Sequence, residues 1–196
     1  MIQITPDTKT AVLKAAIPLF AKRGYDGVSM RDIAQAVNIR APALYNHFND
    51  KQSLYLAAIS EAFANKADAL SAALSKTNTP AIRLERFVMT LNKVISSDPN
   101  FRMLMQRELL DGDEKRLRFL AREVFGTSFQ EIMELLRELE PNCDAHLLAI
   151  TLIGMVQQHY ELEPLRRFLP GCLPEHSDAG LIAKHIIHLL SRGRDK

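Results

Sequence analysis

Arg40, Tyr45 and Asn46 share a short stretch with Ala41, Pro42 and Ala43, a combination suited to reading the edges of base pairs. A guanidinium can donate two bonds to guanine and an asparagine amide can pair bidentately with adenine, while small side chains between them let a backbone approach a major groove. His47 and Lys51 follow at the start of the next helix, where backbone amides and a cation suit a phosphate. Such contacts position a helix without reading sequence. Ser29 and Arg31, at the start of the preceding helix, complete the set of candidate DNA contacts.

These side chains need two short helices set at an angle, and residues 24–51, GYDGVSMRDIAQAVNIRAPALYNHFNDK, encode them. Ser29 can accept from a free amide at a helix start while Asp32 returns a bond to it, a capping box. Met30, Ile33, Ala34 and Val37 recur at three and four, so one stripe of this helix is buried. Asn38 ends the helix because Asn tolerates the left-handed conformation, and Ile39 plugs the turn. A second helix starts near Arg40. Pro42 lies in its first turn, where a missing amide costs little, and Leu44 and Phe48 hold it on the body. Upstream, Thr5, Pro6 and Asp7 begin a helix carrying Val12, Leu13, Ala16, Leu19 and Phe20. Pro18 inside it removes one backbone bond at a cost of about 3 kcal/mol, so a bend is expected there.

The run Leu19-Phe20-Ala21-Lys22-Arg23-Gly24-Tyr25, the Ser29-initiated helix and Leu44-Tyr45-Asn46-His47-Phe48 with Lys51 and Leu54 together resemble the DNA-binding domain of TetR-type transcriptional regulators. The resemblance is close over about the first quarter of the chain. It implies a helix-turn-helix head, a helical body and a dimer joined through the last two long helices of each subunit, and it implies a regulator that is usually a repressor. Two positions depart from the pattern: Asn38 replaces the usual turn glycine, and Arg40 replaces a small capping hydroxyl. The second departure leaves a weaker cap and frees Arg40 for DNA.

Composition agrees with a two-part protein. A chain of 196 residues with 47% apolar content can bury a sizeable core, whereas about fifty residues alone would be marginal. Residues 1–51 hold 7 Lys and Arg against 4 acids, a net of +3, which leaves 18 against 19 and a net of −1 for the remainder. A modestly basic head on a near-neutral body fits a DNA reader with a regulatory domain. No apolar run reaches the roughly 18 residues that span a bilayer, and no signal-peptide pattern opens the chain, so a cytoplasmic protein with no membrane partner is expected. Cys143 and Cys172 are then expected as free thiols.

Beyond Lys51 the pattern is helical throughout. Asp50 can cap a long helix from Leu54 towards Leu74; Leu84 to Ile95 and Phe101 to Leu109 give two more; and Leu117 to Leu139 reads as one amphipathic helix. With residues 144–160 and a last helix around Leu181 to Leu190, the expectation is an all-α fold of about nine helices, with a DNA-binding domain at 1–51 and a regulatory domain at 52–196. The last two helices are apolar on more than one face, which points to a dimer interface including Leu147, Ile150, Gly154, Ile182, Ile186 and Leu189. Phe87, Leu91, Met103, Met105, Phe125, Phe129, Met155 and His159 are the expected lining of an apolar effector pocket, because thioethers and rings fit irregular ligands.

Catalytic chemistry has little support. His185 and His188 can share a helix face, and His159 stands near acids, but two ligands do not make a metal site. No phosphate loop, nucleophile elbow or Cys-His signature is present. The expectation is a non-enzymatic, cofactor-free, homodimeric, sequence-specific transcriptional regulator, a repressor released from palindromic operator DNA by a small apolar or amphipathic effector. The alternatives are a helix-turn-helix regulator without an effector, and a helical interaction or enzyme module that does not bind DNA.

Overall fold

The computed structural model describes residues 6–192, and within them every regular element is helical. Helix α1 spans Pro6–Arg23 and runs unbroken through Pro18. The proposed Thr5 cap lies outside the described residues. Helices α2 (Met30–Ala36) and α3 (Ala41–Leu44) follow, then α4 (Lys51–Ala73), α5 (Pro80–Ser97) and α6 (Pro99–Asp111). Next come α7 (Glu114–Phe119), a π turn at Leu120–Val124, α8 (Gly126–Leu139) and α9 (Ala145–Glu161). The one-turn α10 (Glu163–Arg166), a 3₁₀ turn at Pro174–Ser177 and α11 (Ala179–Arg192) complete the described chain.

Among the described residues eleven α-helices therefore stand where about nine were expected, for two local reasons. The stripe from Leu117 to Leu139 is not one helix. It breaks at the π turn, and α8 restarts at Gly126, the Phe125 carbonyl accepting from the Ser128 hydroxyl at 3.1 Å and from the Phe129 amide at 2.9 Å. A π turn closes i to i+5 bonds in place of the α-helical i to i+4 bonds, so the α-helical pattern is interrupted there whatever the apolar periodicity of the sequence. The second addition is α10, a single turn nucleated by Pro164 near its start.

The chain forms two compact units. The first comprises residues up to Asn65 together with Pro99–Val124; the second comprises Lys66–Asp98 together with residues from Phe125 onward. In the first, Phe20, Tyr55 and Phe63 are buried, with edge-on ring pairs Phe20–Tyr55 at 4.6 Å and Phe63–Phe101 at 4.8 Å. In the second, α5 buries Phe87, Val88 and Leu91, α8 buries Ile132 and Leu135, α9 buries Leu152 and Val156, and α11 buries Ile182 and Ile186. No helix among the described residues is long and apolar enough to cross a membrane.

Candidate nucleic-acid interface

The capping box forms as its residue types demand. The Asp32 amide donates to Ser29 Oγ at 3.2 Å, and Asp32 Oδ2 accepts from the Ser29 amide at 2.7 Å and hydroxyl at 2.6 Å. These bonds hold the Asp32 carboxyl below the usual carboxylate range. Met30, Ile33 and Ala34 are buried, which docks α2 and leaves Arg31 exposed. The turn then reverses at Asn38, whose φ of 60° is the left-handed conformation expected of it. Ile39 donates to the Ala34 carbonyl at 3.0 Å and is half-buried in the turn.

Arg40 begins α3 without a side-chain cap bond, as its chemistry requires. Helix α3 itself is shorter than the sequence implied, a single turn at Ala41–Leu44. Turns carry the chain onward, the amides of His47 and Phe48 both donating to the Leu44 carbonyl at 3.0 and 2.9 Å. Leu44 and Phe48 are almost wholly buried and fix the rotation of this segment. That rotation leaves Arg40, Pro42 and Asn46 exposed and Tyr45 54% exposed, with Ala41 and Ala43 half-buried between them. Donors and small residues thus occupy one open surface, the arrangement a major groove can accept.

The phosphate candidates are placed less simply. Lys51 is half-buried with its ammonium 4.3 Å from the centre of the Tyr25 ring, a cation–π contact. Asp50 already serves the start of α4, accepting from the Ser53 amide at 2.6 Å, so an anion there would depend on the Lys51 charge more than on free amides. His47 Nε2 is buried and has no hydrogen-bond partner among the described residues, and a phosphate contact by this nitrogen requires the ring to rotate.

The sequence reading missed what braces this surface. Glu108 is completely buried in α6, accepting from the Tyr55 hydroxyl of α4 and from Arg116 Nε of α7 at 2.9 Å. Arg116 also meets Asp111 at 3.0 Å and Asp113 at 3.5 Å, and its guanidinium lies 5.0 Å from the Tyr25 ring. Burial, followed by the bond to Glu108, pushes the Tyr55 hydroxyl well above the usual phenol range. Arg107 donates to the carbonyls of Ala21 and Lys22 at 2.7 and 2.5 Å and so caps the end of α1. A signal for Glu108 existed: it occupies the next position of the Phe101, Leu104, Met105 stripe, where a carboxylate must be paired.

The remaining expected sites are distributed as follows. Phe87 and Leu91 are core residues of α5; Phe125, Phe129, Met155 and His159 are half-buried in the second unit; and Met103 and Met105 are half-buried on α6 in the first. Of these, His159 lines a cavity of about 380 Å³. On α9, Leu147, Ile150 and Gly154 form an exposed stripe, and a Cβ on Gly154 would meet nothing within 4 Å. Ile182 and Ile186, expected on a dimer face, are 4% and 0% exposed in the single chain and pack α11 onto its own unit. The open apolar positions of α11 are Leu181 and Leu189, because the helical period turns them away from the Ile182–Ile186 face.

Residues 12–58 match the family described as bacterial regulatory proteins, tetR family. The biofilm operon icaADBC HTH-type negative transcriptional regulator IcaR of Staphylococcus aureus strain Newman is 47% identical over 47 residues, 24% of this chain and 25% of that protein. The match thus spans a quarter of the curated relative's length. Over the whole fold, the regulator FadR of Bacillus subtilis in complex with stearoyl-CoA superposes with a TM-score of 0.74 at 14% identity, covering 92% of this chain and 96% of that one. AibR, in complex with isovaleryl coenzyme A and operator DNA, superposes with a TM-score of 0.72 at 20% identity, covering 92% and 96%. The short capped α2, the Asn38 turn and the outward-facing Arg40–Asn46 segment therefore lie within the stretch, residues 12–58, that is similar to the bacterial regulatory proteins of the tetR family.

Proposed function

We propose that the protein is a homodimeric, sequence-specific transcriptional regulator that uses residues 1–51 to bind a palindromic operator and residues 52–196 to dimerise and to sense a small effector. The observation that carries the DNA-binding part is the surface formed by Arg40, Pro42, Tyr45 and Asn46, held outward by the buried Leu44 and Phe48. Arg40 and Asn46 read base edges, Tyr45 and Lys51 engage phosphates, and Arg31 contributes from α2. Support for the dimer comes from Leu147, Ile150 and Gly154 on α9 and Leu189 on α11, exposed positions without a partner in one chain. Two-fold symmetry through them would set two heads about 34 to 36 Å apart, one turn of DNA.

Support for a small amphipathic effector comes from AibR and FadR, whose structures hold isovaleryl coenzyme A and stearoyl-CoA. An effector of this kind releases the operator only if it binds the non-binding conformation more tightly than the DNA-binding one. Selection of genomic fragments by the purified protein, repeated with acyl-CoA thioesters and over a range of salt, tests the reading. Recovery of a palindrome whose binding weakens steeply with salt is expected. Failure to retain any fragment at low salt would refute DNA binding, and retention unaffected by every thioester would remove that class of effector.

A further inference from the structure

We propose that the cavity between the end of α9 and the start of α11 binds a small carboxylic acid with a short apolar tail. The cavity, about 380 Å³, is lined by His159 of α9, Arg166 of α10, His176 of the 3₁₀ turn, and Leu181, Ile182 and His185 of α11. Four nitrogen-bearing side chains therefore face a floor of two aliphatic ones, a surface matched to an anionic head and a hydrocarbon body.

Among the described residues no ion pair involves Arg166 or the three histidines. Among the described residues Arg166 makes a hydrogen bond to the Ser177 hydroxyl at 3.3 Å and no ion pair, which leaves the other guanidinium donors for a ligand. Of the acids near these residues in sequence, Glu161 accepts from the Gln157 amide and Asp178 accepts from the Leu181 amide at 2.7 Å. His176 Nδ1 accepts from the Leu173 amide at 3.1 Å, so in the neutral ring the proton sits on Nε2, a donor. His159 is held below its ordinary range by burial first, and then by the charges of Arg166 and His185. A bound carboxylate would oppose both of those charges.

The walls are also fixed in advance. Asn92, buried in α5, accepts from the Tyr160 hydroxyl of α9 at 2.7 Å and donates to the Ala179 carbonyl at the start of α11. One side chain thus ties together the two helices that flank the cavity, so little ordering is left for a ligand to impose. Nothing in this site depends on the DNA-contacting surface, and it is separate from the Phe87–Leu91 interior of α5.

The test is titration of the isotope-labelled full-length protein, without DNA, with benzoate and hexanoate, each against its neutral amide, following the imidazole resonances and the heat of binding. Saturable shifts at His159, His176 and His185 are expected with the acids, together with an upward move of the His159 titration. The amides should bind at least about tenfold more weakly, and Arg166→Gln should weaken the acids by a similar factor, as loss of a charge-assisted bond implies. His185→Gln provides a second variant on an exposed position. Undisturbed imidazoles in the presence of both acids, equal binding of acid and amide, or binding of inorganic phosphate while neither acid binds would each overturn the assignment.

Discussion

Replacing Glu108 with Ala should be among the most damaging single changes to the first unit, and its cost follows from the geometry. The side chain is wholly buried and accepts from the Tyr55 hydroxyl and Arg116 Nε. Its loss leaves a buried phenol without an acceptor and removes the one fully buried counter-charge of a guanidinium whose side chain is 8% exposed. Breaking a buried ion pair from one side costs about 3 to 5 kcal/mol. Arg116 keeps Asp111 and Asp113, both around two-fifths exposed, so the lower end of that range applies, about 3 kcal/mol. For a chain of this length that corresponds to a fall in Tm of about 6 to 12 °C. Thermal and urea denaturation followed by circular dichroism measure it, with Arg116→Leu and the double variant completing a cycle. The double variant should lose less than the sum of the two singles, since each single strands the other charge. A Glu108→Ala protein melting within about 2 °C of the parent, or strict additivity, would refute the claim that this network braces the head.

Arg40→Ala should weaken the best operator more than random DNA, by about 1 to 3 kcal/mol of discrimination, whereas Lys51→Ala should weaken all sequences alike and flatten the salt slope by about one unit per site; equilibrium binding over a salt series separates the two. Ile150→Glu puts a charge in the exposed α9 stripe and should shift sedimentation towards the monomer without lowering helicity, while an unchanged oligomer would move the dimer contact elsewhere. His159 has a folded pKa below its unfolded one, so near pH 6 the unfolded chain binds more protons and stability falls as pH drops through about 6.5. His159→Gln should make that decline shallower in urea denaturation, and an identical slope would show that the ring is not the group responsible.

What could be read from the residues alone was the part decided within a few positions of chain. Ser29 with Asp32, the left-handed Asn38, the uncapped Arg40 and the buried Leu44 and Phe48 are each set by neighbours no more than five residues away, and all occur as their types require. The all-helical class followed for the same reason, since a period near 3.6 is a local property. Periodicity states that a helix has an apolar face, however, and not what covers it. In α11 only packing turned Ile182 and Ile186 inward and left Leu181 and Leu189 open, and in the Leu117–Leu139 stripe only the backbone broke the register at Leu120–Val124.

Partners distant in sequence were decided by the tertiary structure. Tyr55 meets Glu108 across 53 positions, Arg107 meets Ala21 across 86 and Asn92 meets Ala179 across 87. Each is a polar group whose burial is tolerable only with a partner, and the residue type announces that need without naming who meets it. The convergence of His159, Arg166, His176 and His185 on one cavity is of the same kind, because it depends on how α9, α10 and α11 are folded back on one another rather than on any spacing along the chain.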